Sequence, residues 1–84
     1  MDYSLSFSKL ALKKLDKIND PYYSNIKTAI SNLTQNPRPK GCKKLKGREG
    51  YRIRIANYRV IYDVFDNELI IDVITLGHRK DIYK

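Results

Sequence analysis

Two short segments, Tyr51-Arg52-Ile53-Arg54-Ile55 and Tyr58-Arg59-Val60-Ile61-Tyr62, alternate basic with apolar residues. Successive side chains of a strand point to opposite faces, so this alternation predicts half-buried strands. Tyr51, Ile53 and Ile55 go to a core, and guanidinium groups line the other face. A row of arginines on a rigid sheet suits phosphate, because the arginine fork meets two phosphate oxygens at once. RNA or DNA is therefore the first class of partner.

The distribution of charge agrees. Formal net charge is +8 over 84 residues. From Arg38 to Arg59 the bases Arg38, Lys40, Lys43, Lys44, Lys46, Arg48, Arg52, Arg54 and Arg59 face the single acid Glu49. Such a patch favours an anionic partner. Apolar residues make up 42% of the chain, too many for a disordered basic tail. The length predicts one domain spanning residues 1–84.

Several classes are set aside. Cys42 is the sole cysteine, which excludes an intramolecular disulfide and a cysteine-based zinc site and fits a reducing cytoplasm. Asp63, Asp66, Glu68 and Asp72 lack the spacing of a metal site, so no metal or cofactor is expected. No run approaches the roughly 20 apolar residues of a membrane span, and residues 1–10 do not read as an export signal. A cytoplasmic protein with no membrane partner is the expectation.

Tyr3 to Phe7 alternates and predicts a first strand, with Tyr3, Leu5 and Phe7 inward. Ser8 can cap a helix running to about Ile18, on which Ala11, Leu12, Leu15 and Ile18 recur at helical spacing. Asp20 is a good cap and Pro21 suits a first helical position, so a second helix follows with Tyr22, Ile26, Ala29, Ile30 and Leu33 as its stripe. Asn36 to Gly41, with two prolines, is a loop. After the strand from Tyr51 come a turn at Ala56-Asn57, a strand from Tyr58 to Phe65, and a nearly all-apolar strand from Leu69 to Leu76 that Gly77 ends. The order βααβββ predicts an α+β fold, a helical hairpin packed on one face of a mostly antiparallel four-stranded sheet. The other face carries Arg52, Arg54 and Arg59 outward.

Element order, length, Lys44-Leu45-Lys46-Gly47, the two alternating strands and Gly77-His78-Arg79-Lys80-Asp81-Ile82-Tyr83 together resemble the RelE branch of the RelE/ParE toxin superfamily. The likeness spans essentially the whole chain. It implies a toxin of a type II toxin-antitoxin pair that enters the ribosomal A site and cuts the mRNA codon there. It implies a cognate antitoxin, the ribosome and mRNA as partners, and operator DNA only in complex with the antitoxin. The family's site residues fall on Arg52, Arg54, Arg59, Arg79 and Tyr83.

Metal-independent RNA cleavage uses the ribose 2′-hydroxyl as nucleophile. It needs a proton acceptor, stabilisation of the charged phosphorane, and a proton donor to the leaving oxygen. Arg54 and Arg59 suit the phosphorane, Arg79 the leaving group, and Tyr83 stacking on a base. Lys43, Lys44, Lys46 and Arg48 suit contacts to RNA backbone. The acceptor is the weak point. Where the family's best-known form has lysine, this chain has Arg52, and an arginine stays protonated. His78, the only histidine, is the substitute for base or acid, or else it packs at the strand end; the ribosome is a third source. Cleavage is then weak if neither residue serves. A ParE-like toxin that inhibits DNA gyrase by binding it, and a catalytically weak member that only binds antitoxin, are the alternatives.

Overall fold

The computed structural model describes residues 2–78. Strand β1 (Ser4–Phe7) passes through Ser8 into helix α1 (Lys9–Asp16). The Ser8 hydroxyl accepts from the Ala11 amide at 3.0 Å and donates to the Ile74 carbonyl at 2.6 Å. A cap of this kind is worth about 1 kcal/mol, and here it also ties the helix start to the sheet. Helix α2 (Tyr22–Asn32) begins one residue later than the sequence predicts, with Pro21 at the cap position. Asp20 still caps it from outside, accepting from the Ser24 amide and hydroxyl at 2.9 and 2.6 Å.

Five strands form the sheet where four are predicted from the sequence. The additional one, β2 (Lys43–Lys44), has two residues, too few to show any alternation. It is followed by β3 (Tyr51–Ile55), β4 (Tyr58–Phe65) and β5 (Ile70–His78), in the spatial order β1-β5-β4-β3-β2. Only β1 with β5 is parallel; the other pairs are antiparallel. β5 does not stop at Gly77 but runs on to His78, because its backbone still pairs with β4 there.

The helices cover one face. Ala11 and Leu15 from α1, and Ile26, Ile30 and Leu33 around α2, pack on Ile53, Val60, Tyr62, Ile71, Val73 and Leu76 of the sheet. Leu12 and Tyr22, two members of the predicted stripes, stay 50% and 41% exposed, since short helices lying on a sheet bury a narrower stripe than a bundle helix would. Between Ile61 and Tyr62 the β4–β5 register shifts by one residue, so that Ile61 faces Thr75 while Tyr62 faces Val73. Above and below that irregularity the inward residues of β5 are Val73 and Leu76, three apart instead of two or four. A bulge of this kind moves everything beyond it to the other face.

Candidate RNA-cleavage face

Cross-strand register sets out the site. Residues directly opposite in an antiparallel pair project on the same face with Cβ atoms about 5 Å apart. Arg54 lies opposite Arg59, and Lys43 lies opposite Arg52. All four share the face away from the helices. Two directly opposed like-charge pairs work against the fold, and an anion laid across them would offset that repulsion. The burial differs along the row: Arg54 is exposed and Arg52 half-buried, while Arg59 is only 5% exposed. The sequence predicts Arg59 as an outward residue; the structure corrects this to a buried one on the same face. Gly77, directly across from Arg59 on β5, brings no side chain into that space.

The other predicted site residues divide. Lys44 pairs with Tyr51 and so belongs to the opposite face, its ammonium 6.0 Å from the Tyr51 ring. Lys46 and Arg48 are exposed in the segment before β3. His78 is opposite Tyr58, and its ring meets Tyr58 edge-on at 5.8 Å, while Tyr58 in turn lies 5.4 Å from Tyr22 of α2. His78 therefore sits on the helix side, away from Arg52, Arg54 and Arg59. Arg79 and Tyr83 lie outside the described residues.

Arg38, counted in the basic patch, is engaged elsewhere. Its guanidinium holds both oxygens of Asp66 at 2.8 and 3.3 Å and donates to the Tyr51 hydroxyl at 2.9 Å. Asp66 also accepts from the Tyr3 hydroxyl at 2.6 Å. The hydrogen bonds from Arg38 and then Tyr3 hold the Asp66 carboxyl below the usual carboxylate range. Nearby, the buried Tyr62 donates to the Pro37 carbonyl at 2.7 Å. These bonds fix the proline loop against the sheet. Beside it opens a cleft of about 590 Å³ in which Leu33, Pro39, Ile53 and Ile55 meet Lys40, Lys43, Arg52 and Arg54.

One residue on the arginine face is missed by the sequence reading. On β4, Asp63 has the same parity as Arg59 and Ile61, and it lies opposite Asp72. Its Oδ1 is buried without a hydrogen-bond partner among the described residues. Burial, the largest effect, pushes its carboxyl above the ordinary value; Asp72 and Glu49 push the same way, against Arg48. The parity was visible in the sequence, but carboxylates weighed only as metal ligands gave no reason to use it. Among the described residues no cluster of three metal-ligating side chains is found.

A two-helix layer on a mixed sheet whose far face presents opposed arginines defines the class of RelE/ParE-like toxin folds. In the archaeal RelE–RelB complex from Pyrococcus horikoshii OT3 the matching chain superposes with a TM-score of 0.84 at 28% identity, covering 94% of this chain and 97% of that one. The RelB–RelE antitoxin–toxin complex from Methanococcus jannaschii gives a TM-score of 0.74 at 31% identity, over 93% and 94% of the two chains. The mRNA interferase toxin RelE of Escherichia coli K12 is 30% identical over 83 residues, 95% of this chain and 86% of that protein. A family model for the ParE toxin of the type II toxin-antitoxin system parDE matches residues 5–83. The chain belongs to the RelE/ParE toxin superfamily, in its RelE branch.

Proposed function

We propose that this protein is a toxin that cleaves mRNA in the ribosomal A site by 2′-hydroxyl attack, without a metal ion. The observation that carries this reading is the pair Arg54 and Arg59, opposed on one sheet face with Arg52 beside them. A phosphorane forming over that face gains charge that fixed guanidinium groups stabilise more than they stabilise the ground state. The name mRNA interferase carried by the E. coli relative supports it. Primer extension on mRNA in a translating extract is the test. Cuts within the codon at the A site, unaffected by chelator, are expected; intact message during growth arrest would refute the reading.

A cognate antitoxin is part of the proposal, supported by the solved RelE–RelB complexes of related chains. Its toxin-binding segment is acidic with apolar residues between, to suit the cations and the aliphatic floor of the cleft beside β3. Gyrase inhibition is the second reading, favoured by the ParE family-model match. Gyrase supercoiling measured with the purified chain separates the two.

A further inference from the structure

Resting on the nuclease reading, we infer that Asp63 is the proton acceptor of the cleavage site. Among the described residues the strands bring two carboxylates to the arginine face, Asp63 and Asp72, and Asp63 is the one on the strand next to Arg52. Arg52 stands where the family's best-known form carries lysine, and a guanidinium does not give up its proton in a protein. His78 is on the opposite side of the sheet, packed against Tyr58. Asp63 is on the right side. Arg52 is directly opposite Ile61, so its two diagonal neighbours on β4 are Arg59 and Asp63, each about 7–8 Å away. A phosphate held by Arg52 thus lies on the face that Asp63 shares, one diagonal step from it along the sheet.

The environment of Asp63 suits the task. The groups facing it are Arg48 and Glu49 from the segment before β3, Asp72 from β5, and Arg52 on β3. Its Oδ1 lies in the dry space under Gly50, where a Cβ on that glycine would stand 2.9 Å away. A carboxylate with one oxygen cut off from water and hydrogen bonds is a stronger base than a fully solvated one, and burial raises the Asp63 pKa accordingly.

The step balances. The proton of the 2′-hydroxyl passes to the Asp63 carboxylate as the O2′–P bond forms. The P–O5′ bond breaks, its electron pair goes to O5′, and O5′ takes a proton from water. A 2′,3′-cyclic phosphate and a 5′-hydroxyl leave, and Asp63 returns its proton to the hydroxide that water became.

The test is single-turnover cleavage on programmed ribosomes across about pH 5.5 to 8, for the parent, Asp63→Asn, Asp63→Glu and Asp63→Ser, with thermal melting of each. Loss of general-base catalysis is expected to lower the Asp63→Asn rate by ~100-fold or more. The parent's rate should fall toward acid pH, and that fall should vanish in Asp63→Asn. Asp63→Glu should restore part of both, and melting temperatures of the folded variants should not fall with the rate. Asp63→Ser answers the same question if the asparagine variant does not fold. A rate within about threefold of the parent, or a slower enzyme that keeps the parent's acid limb, overturns the role of Asp63 while the nuclease reading stands. A parent that leaves the message intact on ribosomes overturns both.

Discussion

Arg54 and Arg59 lie directly across from one another on neighbouring antiparallel strands, both on the sheet face that the helices leave uncovered. Two guanidinium groups placed that way repel, and the pair differs sharply in exposure, with Arg54 open to solvent and Arg59 only 5% exposed. The arrangement separates two roles. Arg54 is open to an incoming phosphate, whereas Arg59 is enclosed by the sheet around it.

That difference predicts different costs. Arg54→Ala should reduce A-site cleavage while changing stability by no more than about 0.5 kcal/mol, since it is exposed and its removal relieves like-charge repulsion. Arg59→Ala should abolish cleavage and also lower the denaturation midpoint, because it leaves a void where a buried side chain lay. Chemical denaturation beside primer extension checks both. An Arg59→Ala variant as stable as the parent and still toxic would remove Arg59 from the site.

His78→Gln is expected to cut at a rate within about threefold of the parent, far short of the ~100-fold of general acid-base catalysis. Its effect should appear in stability instead, as a loss of about 0.5–1.5 kcal/mol for the edge contact with Tyr58. Single-turnover rates and melting curves of the same preparation decide it. A large rate loss without destabilisation would return His78 to the chemistry.

Gly50 has φ +121°, and a Cβ there would meet Asp63 Oδ1 at 2.9 Å, Leu45 Cδ1 at 3.2 Å and the Tyr62 carbonyl at 3.3 Å. Backbone strain and the backbone carbonyl contact do not relax cheaply. Gly50→Ala should destabilise by more than about 1 kcal/mol, measured by urea denaturation; a stability equal to the parent's would contradict the geometry.

The Arg38–Asp66 pair predicts a pH dependence. Because Arg38 and Tyr3 lower the Asp66 pKa from its ordinary 3.8, the folded state is favoured while Asp66 is charged. That contribution is present above the ordinary value and is lost as pH falls through the lowered one. The parent should therefore lose stability more steeply than Asp66→Asn below about pH 4. The pair is solvent-exposed, so high salt should shrink the difference. Parallel acid-denaturation curves that coincide at low salt would show the pair to be inert.

Element types came from local periodicity, and there the chain alone was sufficient. Alternation placed β3 and β4 at Tyr51–Ile55 and Tyr58–Phe65, and Ser8 marked the start of α1 through the same hydroxyl that caps it. The opposed arginines follow as well, because a two-residue turn at Ala56-Asn57 fixes which residues face each other. Parity along one strand is a property of the chain.

Parity across strands is not, and the tertiary structure decided it. The run from Ile70 to Leu76 is apolar or small at nearly every position, so nothing in it betrays the extra residue between the Ile61–Thr75 and Tyr62–Val73 pairs. An unbroken ladder from Tyr62–Val73 would have set Leu76 across from Arg59 and turned His78 toward the arginines. The shift sets Gly77 there instead, leaving room for a buried guanidinium, and turns His78 back onto Tyr58. β2 and the Arg38–Asp66 contact are of the same kind: Lys43 meets Arg52 and Arg38 meets Asp66 across stretches of chain that carry no local sign of the partner. Periodicity fixes what each segment is; only the packed sheet fixes which charged side chains end on one face, because one inserted residue reverses every side chain beyond it.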